Sequence, residues 1–294
     1  MNFAERCESF ISQNKFVDAS ELIKCEIAKK SNSYDIKELN VAQFLRCEYL
    51  TSQEQSIFLL EFLRYLRNST TTLENQQFLT ENECFLQKLK VLFNQLMEQN
   101  NSEVLMKVIL QLLVNIIVSN KESSSKVYTY FYDNVLECFY RKYNKYEVLA
   151  LLYNIHLQNS YLPLNISLCE GVLDEAIDSS CEFAEFLIEL FLSSVHFWSL
   201  YKKFDINKKI LILQALQNML ITRHTKDIPE LALQTLSEVF SESTSIIFQT
   251  MSCSTDSLEP YEISLVLEIL GCLCGHEKYL RFLQNDKELI IRVE

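Results

Sequence analysis

An all-α fold assembled from stacked helical repeats is what this sequence predicts, and three observations carry the expectation. Only 3 Gly and 3 Pro occur in 294 residues, too few for the turns and phosphate loops of sheet or Rossmann-like folds. Apolar residues recur at helical spacing almost throughout, and good helix formers such as Leu, Glu, Lys and Gln fill the gaps. The third observation is a phrase, Leu-x-x-Leu-x-Asn. It occurs as Leu63, Leu66, Asn68, as Leu110, Leu113, Asn115, as Leu149, Leu152, Asn154 and as Leu213, Leu216, Asn218, with a degenerate copy at Leu267, Leu270, Cys272. Two leucines one turn apart face one way while the Asn points off their stripe. Recurrence at irregular intervals of about 40 to 60 residues matches stacked repeats of the armadillo or HEAT kind. The expected architecture is a right-handed α-solenoid of about five to six irregular repeats, with 1–294 as one array.

The elements follow in order. Residues 3–13 and 16–30 read as an amphipathic pair, with Phe16, Ala19, Ile23 and Ile27 on one stripe. The polar run Lys30 to Ser33 separates them from a helix over about 35–50. Ser52 with Gln55 forms a capping box for the helix that ends at Asn68, and Ser69 to Thr72 is a turn. After a short helix, Thr80 with Glu83 opens a longer one to about Gln99. Asn100 to Ser102 breaks the chain before the second copy, and Asn120 to Ser125 forms another polar break. The segment 126–146 is crowded with tyrosine and phenylalanine, which fits core plus amphipathic rim or an aromatic interaction patch.

Pro163 falls in a loop, and Ser179 with Glu182 caps the next helix. The wide gap between Asn154 and Asn218 implies a decayed repeat around 181–200, keeping its spacing through Phe186, Leu190 and Val195. Asp227 to Glu230 starts a helix with Pro229 where its missing N–H costs nothing. Cys253 to Pro260 is the last polar break. Beyond Gly275 the helical pattern runs into Leu-Ile-Ile-Arg-Val-Glu, apolar positions that would need another repeat to stack on. The expectation is that further repeats follow residue 294.

Composition narrows the function. With 39 acidic against 27 basic residues the formal net charge is -12, a poor match for a phosphate backbone, which rewards Lys and Arg. Two basic clusters, Arg141, Lys142, Lys145 and Lys202, Lys203, Lys208, Lys209, lie beside aromatics. That mix suits single-stranded nucleic acid, the alternative to a protein-binding scaffold; otherwise the cations are solvated helix ends. Ten cysteines without a C-x-x-C pair, most of them in apolar stretches, fit buried thiols in a reducing compartment. The apolar windows near 104–118 and 183–201 are interrupted by polar residues and fall short of the roughly 20 apolar residues of a membrane span. A cytoplasmic protein is expected.

Catalytic and metal-binding patterns are missing from the sequence. No P-loop, G-x-G-x-x-G, G-x-S-x-G or H-E-x-x-H is present, and His156, His196, His224 and His276 share no ligand spacing. Cys272 and Cys274 lie two residues apart on a helical pattern and point in different directions. The chain is expected to be no enzyme and to hold no cofactor or metal. The candidate contacts are instead Asn68, Asn115, Asn154 and Asn218, flanked by Arg64 and Arg67. Such amides can grip an extended partner's backbone along a concave groove, or they can cap helix ends and tie down the next loop. The partner would be another protein or a second copy of this chain.

Particular stretches resemble the ataxin-10 family. They are Phe62-Leu63-Arg64-Tyr65-Leu66-Arg67-Asn68 with Glu74-Asn75-Gln76, Leu112-Leu113-Val114-Asn115-Ile116 leading into Ser123 to Tyr128, and Leu267 to Leu273 with Leu280 to Gln284. The resemblance is clearest over 57–130 and 262–285. It implies an armadillo-like array continuing beyond residue 294, in a cytoplasmic, partly perinuclear, non-enzymatic scaffold. The family is linked to neuronal survival and neurite growth, cell division and cilia, with oligomers and signalling or glycosylation partners. Thr70 to Thr72 stand where the family has a cysteine-bearing loop, so that loop's role does not carry over.

Overall fold

The computed structural model describes residues 2–29, 36–99, 103–159, 162–179, 181–222, 229–236, 238, 239, 265, 266, 268 and 269. Among these residues the chain is helices and connectors with no strand, so the all-α expectation holds. It divides into two compact units, Met1–Ser160 and Tyr161–Glu294.

In the first unit α1 (Phe3–Ser12) and α2 (Phe16–Ala28) form a hairpin, and Asn2 and Glu5 close a reciprocal capping box on α1. Then come a one-turn α3 (Val41–Phe44), a 3-10 turn (Cys47–Leu50), α4 (Gln53–Ser69), α5 (Leu73–Glu81) and α6 (Glu83–Glu98). The unit finishes with α7 (Glu103–Ile117), α8 (Lys121–Tyr140) and α9 (Lys145–Gln158). The packing is two-layered. In one layer α4 lies between α2 and α7, and α7 between α4 and α9; in the other α8 packs on α6. Paired contacts run the same way along α6 and α8, from Phe93 with Phe131 (ring centroids 6.2 Å apart) through Asn94 with Asn134 to Met97 with Cys138, so these helices are parallel. Against α9, α8 is antiparallel: its start meets the end of α9 through Ser125 and Asn159.

The repeated phrase supplies the core. Leu63, Leu66, Leu110, Leu113, Leu149 and Leu152, on α4, α7 and α9, are all 0% exposed. Full burial of a leucine stabilises by about 1.5–3 kcal/mol over leaving it in water, so six such residues are a major part of what holds the layers together.

Several local expectations are corrected. The helix over 35–50 is split into α3 and the 3-10 turn, because Leu39, Val41, Ala42, Phe44 and Leu45 are all buried and are too closely spaced for one helical stripe. Asn82, not Thr80, caps α6, accepting from Phe85 N at 3.0 Å. Thr80 lies inside α5, its hydroxyl 3.0 Å from that of Ser123. The expected break at 120–125 is shorter and lies earlier: the connector is 118–120, ending on Asn120, which caps α8, while 121–125 already belong to that helix. Ser52 caps α4 as expected, at 3.2 Å to Gln55 N. The aromatic segment sorts into core (Phe131, Phe139) and rim (Tyr128, Tyr130, Tyr132).

In the second unit α10 (Ile166–Ser179), α11 (Glu182–Phe191) and α13 (Ile206–Thr222) pack on one another, with a short α12 (Val195–Leu200) and a 3-10 turn (Tyr201–Lys203) between the last two. Leu213 and Leu216 of the fourth copy are 0% exposed. Over 181–200 the buried stripe is Ala184, Leu187, Ile188 and Phe191, not Phe186, Leu190 and Val195, the last of which is 56% exposed. Cys181, without a side-chain cap, takes the N-cap place of α11, while Ser179 closes α10. Trp198 is buried and donates its indole N–H to Leu192 O at 2.8 Å. A further helical stretch over 230–236 begins after Pro229, whose carbonyl accepts from Ala232 N. The polar runs at 30–33, 100–102 and 253–260, the degenerate fifth copy, the Cys272–Cys274 pair and the C-terminal segment lie outside the described residues.

No single helix among the described residues is long and apolar enough to cross a membrane. One bent pair, Glu182–Phe191 with Val195–Lys203 at 93°, meets that test by length and composition, but its large side chains Leu187, Phe191, Phe197 and Trp198 are buried inside the unit. Of the described cysteines, Cys7, Cys138 and Cys169 are buried and Cys25 and Cys84 exposed, all as free thiols. Burial pushes the three buried thiols up to about 12.

Candidate functional site

Three copies of the phrase fall on α4, α7 and α9, which are successive neighbours in one layer, so their off-stripe residues share a side of the first unit. Reading back from the Asn gives α4 and α7 a common layout. Ile57, Arg64 and Asn68 stand on one side of α4; Val104, Gln111 and Asn115 occupy the same places on α7. Ile57 and Val104 are 40% and 56% exposed, and Tyr146, on the same side of α9 as Tyr153, is 59% exposed. α4 and α7 thus begin this side with a solvent-facing apolar group and continue it with polar ones, whereas on α9 the place of Arg64 and Gln111 is taken by buried Ala150 and Tyr146 stands eight residues before Asn154. The starts of α7 and α9 are adjacent, since Asn144 Nδ2 donates to Glu103 O at 3.4 Å.

The predicted contacts have specific partners. The Asn68 side-chain oxygen accepts from Arg67 Nε at 3.2 Å and Nη2 at 3.0 Å. Asn115 Nδ2 donates across to Arg67 O at 3.1 Å, joining the Thr70 hydroxyl (2.7 Å) on a carbonyl in the last turn of α4. Asn154 Nδ2 turns back to Ala150 O at 2.8 Å within α9. Asn218 is exposed on α13, in the second unit. Arg64 donates to Glu61 at 2.7 Å, and Glu61 is itself buried. Arg67 Nη1 donates to Gln111 Oε1 at 2.7 Å, and Gln111 Nε2 donates on to Glu147 Oε1 at 3.1 Å, which Lys107 also meets at 3.2 Å.

This chain of side chains ties α4 to α7 and α7 to α9. Behind it runs a second, buried one. Gln76 Nε2 donates to Thr70 O at 3.2 Å and Asn115 O at 2.9 Å, and its oxygen accepts from Asn120 Nδ2 at 3.2 Å. Asn159 Nδ2 donates to Ser124 Oγ at 2.9 Å. Lys107, Glu147 and Asn120 carry no periodic signal, because each partner is more than thirty residues away in sequence. Val104 is the exception, legible by stepping back eleven residues from Asn115, as Ile57 stands eleven before Asn68.

Electrostatics single out Arg67. Its guanidinium is half-buried, and that burial, then the like charge of Arg64, holds its pKa below the usual arginine value. His156 is buried beside Tyr132, whose hydroxyl is 3.1 Å from Nε2, and burial lowers its pKa to about 4. At the connectors a cavity of about 220 Å³ is lined by Met97, Glu103, Met106, Lys142 and Tyr143, among others. Lys142 and Asn144 stand there with φ of 58° and 43°. No group of His, Cys, Asp or Glu among the described residues is arranged to hold a metal ion.

The basic clusters are largely committed to neighbours. Arg141 pairs with Glu137, and Lys202 with Glu238 at 2.7 Å. Lys208 lies 3.0 Å from Asp174 and 3.4 Å from Asp205, while Lys209 sits over the Tyr201 ring at 5.8 Å. A phosphate backbone would have to displace these partners. No protein-family model, curated protein or solved structure matches the chain.

Proposed function

We propose that this chain is a non-enzymatic scaffold of armadillo type, binding a protein partner along the shared side of α4, α7 and α9. The observation that carries this reading is the placement of three phrase copies on adjacent helices with their leucines buried and their polar residues outward. Helices laid side by side in this way offer an extended partner a row of side chains with little requirement for catalytic geometry. The likeness to ataxin-10 in the phrase helices supports the same reading, and with it a cytoplasmic scaffold role in neurite growth, cell division or cilia. Free thiols throughout the described residues agree with a reducing compartment.

The test is affinity capture with the wild-type chain, a face variant carrying V104E and Y146E, and a control carrying V91E on α6, where Val91 is 57% exposed. The expected outcome is a protein set retained by wild type and control and lost by the face variant. Equal capture by all three would remove the face from consideration. Titration with single-stranded RNA at low and moderate salt checks the rival class: tight binding with a steep salt slope would replace the scaffold reading.

A further inference from the structure

Among the described residues Arg67 is a cation without an anion. An arginine fork has five N–H bonds, and three of them go to neutral amide oxygens, two to Asn68 Oδ1 and one to Gln111 Oε1. One N–H remains on each terminal nitrogen. Among the described residues no carboxylate pairs with it. The adjacent acids are taken, Glu61 by Arg64 and Glu147 by Lys107 and Gln111. This is no shortage of acids, since they outnumber bases by 39 to 27 along the chain. A half-buried guanidinium gains most from a carboxylate, which accepts two parallel N–H bonds where an amide oxygen offers one acceptor atom. Exposed Val104 and Tyr146 flank it along the layer, on the helices next in order.

We infer that the α4–α7–α9 face takes an extended acidic segment of another protein, with one carboxylate seated on the Arg67 fork and apolar side chains against Val104 and Tyr146. The inference rests on the scaffold reading and adds the partner's chemistry. Arg67, held by Asn68 and Gln111, is oriented before the partner arrives, which lowers the ordering cost of binding. Arg64 adds a second positive charge that favours an acidic segment and disfavours a basic one.

Phage-displayed random dodecapeptides panned on the full chain supply the probe. Enriched peptides are expected to carry Asp or Glu, and replacing that residue by Gln or Asn in the peptide should weaken binding at least tenfold by fluorescence anisotropy. The R67Q protein should lose the same factor and become indifferent to the peptide change, with melting curves checking its fold; R67K, which keeps the charge and loses the fork, should fall between. The peptide-side comparison needs no protein variant, so it stands even if R67Q does not fold. Enrichment of neutral or basic peptides that V104E with Y146E abolishes would overturn the acidic partner and leave the scaffold face intact. Enrichment of nothing, or only of peptides that survive every face variant, would overturn both. A dimer in sedimentation that R67Q dissociates would make the occupant a second copy of this chain and overturn the assignment to another protein.

Discussion

The two units hold their helices together by different means. In the first unit the contacts include directional bonds that cross from helix to helix, Arg67 on α4 to Gln111 on α7 to Glu147 on α9, and Gln76 on α5 to Asn115 on α7 and to Asn120 at the cap of α8. In the second unit the described helices meet through apolar packing around Trp198, Phe197 and Leu213, with ion pairs such as Lys208–Asp174 at the surface. Apolar contact is strong and non-directional, so one helix can slide on another at modest cost. A buried amide loses its partner on sliding by one residue and leaves a desolvated polar group behind. The first unit therefore fixes the register of its phrase helices, which a surface spread over three of them requires. The second is held mainly by the amount of surface it buries.

Four measurements sharpen or break that contrast, beginning with the largest effect. Trp198→Ala should cost about 3–5 kcal/mol, as expected for emptying a large apolar site; a chemical denaturation curve measures it, and a loss under 1 kcal/mol would deny the second unit its packing core. Next is acid. His156 is held neutral by burial with a pKa of about 4, whereas the unfolded chain takes up the proton near the ordinary value of about 6.5. The unfolded state then binds more protons, so stability is full above pH 6.5, falls as pH drops toward 4 and is flat below. The total is on the order of 3 kcal/mol. Urea midpoints across that window read it, and H156F should flatten the slope.

Smaller is Gln76→Met, which removes a donor to two carbonyls and the acceptor for Asn120. The expected loss is roughly 2 kcal/mol. Amide exchange should rise on α5 and on the first turn of α8 before it rises elsewhere in the first unit. Uniform exchange across the first unit would show that the buried amides do not set register. Smallest is Asp174→Asn, which weakens the Lys208 pair by about 0–1 kcal/mol, less at high salt; a larger drop would mean the second unit also leans on directional bonds.

What was legible beforehand had local causes. Helix content follows from composition, and the burial of the eight phrase leucines follows from a spacing of three on one helix. Illegible features all depend on a partner far along the chain. Thr80 and Ser123 read as a cap and a break because each prefers those places in isolation; facing each other at 3.0 Å inside the unit, they serve as helix interior. Asn115 was open to two roles, gripping a partner or capping a helix. Its amide reaches the end of the neighbouring helix, α4, a pairing no single-helix argument produces. His156 is one of four scattered histidines in the sequence, and only the packing of α8 on α9 buries it beside the Tyr132 hydroxyl.

The sorting of the thiols gives the chain a clock. Cys25 and Cys84 are exposed on α2 and α6, while Cys7, Cys138 and Cys169 are buried with thiols pushed up to about 12. Only the thiolate reacts with an alkylating reagent, so the exposed pair should be modified first and the buried three only when their surroundings open. Cys7 and Cys138 belong to the first unit and Cys169 to the second. Pulse alkylation followed by peptide mass analysis would time the opening of each unit separately, in the native chain and without an introduced label.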